Sequence, residues 1–199
     1  MTLAAWVILA VISLKSMDRL LVLLSFCFLA LGCSSGHTAD GYKSAVAAFA
    51  LGTPAEETTA AIKLLDSAGI DAFDVLLEHL GDESRASDDH FMRAMVTIDE
   101  TGNAGPYEPT IGDACFDLLH GQIEGVWPKG FRDHHVLDRS NVREWLADRK
   151  NNSLNELRLE CAKLSLDSAK QQHDENPSDW TKSCVEFLAD NLRKVQAEN

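Results

Sequence analysis

The sequence lacks the short motifs that accompany several common enzyme reactions. After residue 32 it contains no His-Glu-x-x-His pattern, no Gly-x-Ser-x-Gly pattern, no P-loop and no dinucleotide-binding glycine pattern. The alternation of apolar and polar residues that is typical of strands is also nearly absent, whereas helix signals dominate. The sequence therefore specifies no reaction and predicts an all-α fold without a cofactor. A non-enzymatic role is favoured, and the question of catalysis stays open.

Basic residues are scarce. The chain has 18 lysines and arginines against 31 aspartates and glutamates among its 199 residues. Without residues 1–32, which contain Lys15, Arg19 and Asp18, 16 basic and 30 acidic residues remain, and the net charge is −14 with histidine neutral. This balance argues against nucleic acid as a partner and against electrostatic attraction to anionic lipid headgroups. The remaining residues suit one domain with a core of its own.

Apolar runs long enough to cross a membrane are absent. Residues 3–14 and 20–31 are apolar runs of twelve residues, separated by a charged segment. Neither reaches the roughly 20 residues that a spanning helix needs. Residues 20–31 are typical of the hydrophobic part of a signal peptide. Translation from Met17 would place a short charged segment directly before this run, and this is the simplest explanation of the two runs.

The apolar run ends in Leu-Ala-Leu-Gly-Cys at residues 29–33. This segment resembles the lipobox of bacterial lipoproteins, with Ala30 at the position where leucine is usual. The resemblance implies that residues 1–32 are a signal peptide, that Cys33 carries lipid, and that residues 33–41 are the lipidated cysteine and a flexible tether. Ser34 implies the periplasmic face of the outer membrane in a Gram-negative cell; otherwise the implied location is the outer face of the plasma membrane. An ordinary secretory signal and an uncleaved anchor are the alternatives.

Residues 42–199 are predicted to form a single helical domain, in which start and stop signals mark the individual helices. Thr53, Pro54 and Glu56 predict one helix start with a capping box, and Ser153 with Glu156 predicts another. Loops are expected at residues 101–109 and 125–139, which contain half of the glycine and proline of this part of the chain. Helices are predicted over residues 42–51, 53–67, 71–80, 89–98, 113–123, 140–149 and 153–172, and from residue 178 onward.

A short pattern repeats at a spacing of 42 residues, and Asp71 and Asp113 are each expected to cap a helix. The helices at 53–65 and 71–80 form a predicted hairpin that resembles one unit of a HEAT array, whose repeat length is near forty residues. The resemblance implies helical hairpins and a role in protein binding. The repeated residues are Asp71-Ala72 with Leu76-Leu77 and Asp113-Ala114 with Leu118-Leu119.

Three cysteines follow Cys33 in the chain, and an odd number leaves at least one unpaired. Cys161 and Cys184 lie on the apolar stripes of successive helices, at similar heights if the helices fold back on each other. A disulfide between them would join the C-terminal hairpin. Two buried free thiols are the alternative, and Cys115 could replace either partner.

Two further candidate sites lie in the loop expected at residues 125–139. Asp133, His134 and His135, with Asp138 nearby, combine carboxylate and imidazole groups that could bind a metal. Their alternative is a solvated loop, and His120 is expected to be a packed or surface side chain. Trp127 and Phe131 are the aromatic residues of this loop. They are a candidate surface for a protein partner, unless both rings are buried in the core.

These observations favour a lipid-anchored, extracytoplasmic module that binds or scaffolds a protein partner. Two alternatives stay open. The first is a small metal-dependent hydrolase that uses Asp133, His134 and His135. The second is a purely structural protein of the cell envelope.

Overall fold

The computed structural model describes residues 38–87, 96–98, 104–106, 108–125 and 127–198. The predicted signal peptide, Met17 and Cys33 lie outside these residues. The described residues form seven α-helices, two 3₁₀ helices and one pair of three-residue strands. The α-helices are α1 (Ala39–Ala47), α2 (Ala55–Ala68), α3 (Phe73–Glu78), α4 (Ile111–Ile123), α5 (Val142–Ala147), α6 (Leu154–Glu175) and α7 (Asp179–Ala197). The 3₁₀ helices are Gly69–Ala72 and Lys129–His134, and the strands are β1 (Val96–Ile98) and β2 (Ala104–Pro106).

The fold is helical, as predicted, and its two long C-terminal helices begin where the sequence indicates. The Ser153 hydroxyl accepts from the Glu156 amide, and the Glu156 carboxylate accepts from the Ser153 amide at 2.7 Å. The same reciprocal arrangement starts α7 at Ser178 and Thr181. Each box provides partners for amides that a helix start otherwise leaves free. Within the described part of the chain, none of the helices has the length and apolar character needed to span a bilayer.

The start of α2 differs from its prediction. Pro54 occupies the N-cap position, no side chain caps the helix, and the box predicted for Thr53 and Glu56 does not form. The helix is held at its start by Thr58, whose hydroxyl donates to the Ala48 carbonyl at 2.9 Å. Because this contact joins α2 to the chain after α1, tertiary packing fixes this end of the helix.

The segment predicted to be a flexible tether, residues 33–41, extends too far toward the C-terminus. The first helix already begins at Ala39, three residues before its predicted start and inside the segment expected to be a tether. The side chains of Ala45 and Val46 on this helix are buried in the core. The packing of these two side chains fixes the helix against the core, and the helix extends back from them to Ala39.

The helix predicted for residues 89–98 is wrong at its C-terminal end, and residues 89–95 lie outside the described part of the chain. Val96–Ile98 is strand β1, paired antiparallel with β2, with Val96 opposite Pro106. Valine, threonine and isoleucine are all β-branched, and this restricts their side chains more in a helix than in a strand. Pro106 occupies the end of the ladder, where its missing N–H group is tolerated.

The start of α4 also differs from its prediction. Thr110, not Asp113, is the N-cap residue, and Asp113 is the third helical residue of the capping box. Asp71 instead lies within the first 3₁₀ helix. The two aspartates of the repeated pattern therefore have different structural roles. The HEAT resemblance of the hairpin at residues 53–81 stays a prediction.

The buried side chains form two clusters. The larger contains side chains from α1 to α5 and from the first turns of α6, and it includes Cys115 and Cys161. The smaller lies between α6 and α7 and includes Trp127 and Cys184. The segment that joins α4 to α5 runs beside both clusters. This segment was predicted to be an exposed loop, but Trp127, His134 and Leu137 within it are buried.

Candidate functional site

The predicted metal-binding trio does not converge on one point. Asp133 is exposed, and the buried ring of His134 places Nδ1 3.2 Å from Ser168 Oγ. His135 points instead toward Glu124. The reason is local, because successive residues of a 3₁₀ helix project about 120° apart and the 3₁₀ helix that contains Asp133 ends at His134. Asp138 accepts from the amides of Ser140 and Asn141 and thereby stabilises the turn before α5.

A different set of residues brings metal-ligating atoms together: His120, Glu124 and His135. His120 Nε2 lies 2.9 Å from Glu124 Oε2 and 2.7 Å from His135 Nδ1. His135 Nδ1 lies 2.5 Å from the same carboxylate oxygen. Two ring nitrogens and one carboxylate oxygen therefore form a triangle with sides of hydrogen-bond length. We call these three residues the His-Glu-His cluster.

The end of α4 and the segment after it build the cluster. His120 and Glu124 are four residues apart, so they lie on the same face of the last helical turn. Gly125, with φ of 83°, directs the chain away from the helix axis in a conformation that favours glycine. The chain then returns through the second 3₁₀ helix and places His135 opposite Glu124.

Packing fixes the orientation of each side chain in the cluster. The second carboxylate oxygen of Glu124 accepts from the amides of Val136 and Leu137, at 2.7 and 3.2 Å. The His135 ring stacks on Trp127 with ring centroids 4.1 Å apart and an interplanar angle of 16°. The Glu124 side chain is fully buried, whereas those of His120 and His135 are 19% and 12% exposed. The imidazole edges therefore offer a route from solvent to a buried carboxylate.

The Glu124 carboxylate is ionised despite its burial. Burial alone raises the pKa of this group, but the hydrogen bonds from His120 and His135, the charge of His120 and the Val136 amide together outweigh it. The pKa of Glu124 is lowered to about 2. A buried negative charge is costly unless hydrogen-bond donors or a cation compensate it. The cluster therefore depends on positive charge or donated protons at its centre.

The aromatic loop predicted as a partner surface is largely inside the protein. Trp127 is 6% exposed, which matches the alternative that its ring is buried in the core. Phe131 is half-buried and stacks on Phe187 at a centroid distance of 4.2 Å. Its other neighbour is Trp180, at 5.3 Å, and Trp180 is 51% exposed.

Trp180 has the spacing of the apolar stripe of α7, yet its ring is exposed. It precedes the buried Cys184 by one helical turn, and periodicity alone places both on the same face. Trp180 lies in the first turn of α7, next to the connection from α6, which ends at Glu175. The next residue, Thr181, is buried and lies 2.8 Å from His173 of α6, so Thr181 and not Trp180 faces the neighbouring helix at this turn.

The structure contains Cys115, Cys161 and Cys184 as buried free thiols. Cys161 and Cys184 belong to different clusters of buried side chains, and they are not joined. This matches the alternative of packed thiols. Burial raises the pKa of the Cys115 thiol to about 12, and the negative charge of Asp82 contributes. Burial also raises the pKa of Cys161, with a further contribution from Glu124.

Sequence reasoning missed His120 and Glu124 as partners of His135. The available signal was a histidine followed four residues later by a glutamate, with a His-His pair shortly after the helix. Comparison with known proteins adds no relative to this site: no protein-family model, no curated protein and no solved structure matches the chain.

Proposed function

We propose that the protein is a lipid-anchored, extracytoplasmic helical module that binds a protein partner through the surface around Trp180. Its anchor is lipid on Cys33, at the periplasmic face of an outer membrane or the outer face of a plasma membrane. Two features of the sequence support the anchor: the short apolar run at residues 20–31 and the lipobox-like segment that follows it. The acidic mature chain makes electrostatic attachment to anionic lipid unfavourable.

The observation that supports partner binding is the exposed ring of Trp180, which packs against the half-buried Phe131. Tryptophan is among the residues that contribute most to protein interfaces, because a large ring loses little conformational entropy on burial. Phe131 packs against the Trp180 ring and itself stacks on Phe187, so the indole lies on a packed aromatic surface. An indole ordered in this way is suited to insert into an apolar pocket of another protein.

The charges near Trp180 define the partner further. The end of α6 and the start of α7 carry the exposed acidic residues Asp174, Glu175 and Asp179. A partner pocket with lysine or arginine at its rim would complement them and would accelerate association. The proposed partner is therefore a protein with an apolar pocket and a basic rim, and it replaces the Trp127 surface that the sequence predicted.

Crosslinking in intact cells tests this proposal. The full-length chain, Trp180→Ala and Leu164→Ala are each treated with an amine-reactive crosslinker. Leu164 is the matched control, because it is also a large exposed apolar residue but lies on α6. We expect one crosslinked species that disappears in Trp180→Ala and persists in Leu164→Ala. A species unaffected by Trp180→Ala, or no species at all, would contradict partner binding through this surface and favour a purely structural role.

A further inference from the structure

The three short distances of the His-Glu-His cluster cannot all be hydrogen bonds while Glu124 is a carboxylate. A carboxylate oxygen only accepts, and each ring nitrogen presents either one N–H group or one lone pair. If both rings direct N–H groups at Glu124, those two groups face each other across 2.7 Å. If only one ring presents an N–H group, the lone pair of the other ring faces the carboxylate oxygen. With Glu124 as a carboxylate, each of these arrangements leaves one side of the triangle without a hydrogen bond.

A metal cation removes this conflict, because all three atoms then present lone pairs to one positive centre. Zinc–nitrogen and zinc–oxygen bonds are about 2.0–2.2 Å long, so tetrahedral ligand atoms lie about 3.3 Å apart. The observed sides of the triangle are 2.5–2.9 Å. Side-chain movements of about half an ångström would therefore convert the cluster into a metal-binding geometry.

We propose that His120, Glu124 and His135 bind one divalent transition-metal ion of the zinc type through Nε2, Oε2 and Nδ1. This site is independent of the partner surface proposed above. It shares only His135 with the trio that the sequence suggested.

The surroundings are those of a prepared metal site. Outer groups that fix a ligand's orientation strengthen metal binding. Here, the amides of Val136 and Leu137 occupy the second oxygen of Glu124, which leaves one oxygen for the ion. Stacking on Trp127 fixes the plane of the His135 ring.

The chemistry of the ligands selects the ion. Imidazole nitrogen suits zinc, copper, nickel and iron, whereas calcium and magnesium prefer sets of oxygen ligands. Two histidines and one glutamate supply three of the four ligands of a tetrahedral zinc ion. Because the side chains of His120 and His135 are partly exposed, we expect water to reach the fourth position. The ion is therefore expected to retain one exchangeable ligand.

Metal titration of the purified full-length chain in detergent tests the proposal. Zn²⁺ is added in competition with a chromophoric chelator, and Co²⁺ is added separately to read coordination from its visible absorption. We expect one Zn²⁺ per chain and a Co²⁺ spectrum of low coordination number. Calcium and magnesium should not compete. Loss of even an outer partner of a metal ligand costs about 10- to 100-fold in affinity, so His120→Gln should weaken Zn²⁺ binding by at least tenfold.

The matched control is His134→Gln, which changes the histidine adjacent to His135 in the chain. Its ring is also buried but contacts Ser168, so this variant should retain wild-type affinity. Absence of Zn²⁺ and Co²⁺ binding by the wild-type chain would overturn the proposal regardless of how the variants fold. Equal losses in His134→Gln and His120→Gln, with helical circular dichroism preserved in both, would also overturn it.

Discussion

Replacement of glycine with alanine is expected to have opposite effects at Gly112 and Gly121, the two glycines of α4. A Cβ atom built at Gly112 meets the Leu80 carbonyl and the Arg139 guanidinium at less than contact distance, whereas one built at Gly121 meets nothing within 4 Å. The Gly112 amide donates to the Asp82 carbonyl at 2.9 Å, so the start of α4 is fixed against the chain that follows α3. Gly112→Ala should therefore destabilise the protein, and Gly121→Ala should stabilise it.

The magnitudes follow from the two environments. An inserted methyl group that forces packed backbone apart costs about 1–3 kcal/mol, which lowers the melting temperature by roughly 2–10 °C in a domain of this size. Arg139 would also move, although its Nε donates to the Leu80 carbonyl at 3.0 Å. At an open helical position, replacing glycine with alanine gains about 0.5–1 kcal/mol.

Equilibrium urea unfolding, monitored by circular dichroism at 222 nm, the usual helix band, measures both variants against the wild-type chain. The expected result is a lower midpoint for Gly112→Ala and a higher one for Gly121→Ala, with unchanged slopes. A Gly112→Ala variant at least as stable as Gly121→Ala would refute the close packing of α4 against Leu80.

Three further predictions concern single side chains. Because burial raises the pKa of Cys115 to about 12, we expect its thiol to be unreactive in the folded protein near pH 8 and reactive in denaturant, as read by peptide mapping after alkylation. The amide and hydroxyl of Ser153 lower the pKa of Glu156, so Glu156→Gln should be less stable than the wild type at neutral pH. This difference should vanish as the pH falls through the lowered pKa, because protonation of Glu156 removes the same contribution; unfolding at a series of pH values measures it. Trp127→Ala should cost about 3–5 kcal/mol in unfolding free energy, whereas Trp180→Ala should cost less than about 1 kcal/mol. Equal losses would contradict the assigned burial of these two rings.

The helix starts that the sequence predicted correctly are those determined by adjacent residues. The boxes at Ser153 and Ser178 require only residues three positions apart, and both form. The box predicted at Thr53 fails although its residue types are suitable, because Thr58 and the Ala48 carbonyl determine that helix start. Local patterns therefore sufficed where tertiary contacts did not compete.

The site depended on information that local patterns do not contain. His120 and Glu124 share a helix face, but His135 reaches them only because Gly125 and the second 3₁₀ helix reverse the chain. The sequence grouped His135 with Asp133 and His134, whereas the structure places it beside His120 and Glu124. Trp180 is exposed although its spacing matches that of the buried Cys184, because periodicity does not show that Thr181 is the residue of this turn that faces α6.

The central claim, a lipid-anchored module, is tested most directly by the intact mass of the protein extracted from its native membrane, with Cys33→Ser measured in parallel. The account predicts a chain that begins at Cys33 and carries acyl groups, and it predicts that the variant lacks them. An unmodified wild-type chain that retains residues 1–32 would contradict the anchor and the extracytoplasmic location together.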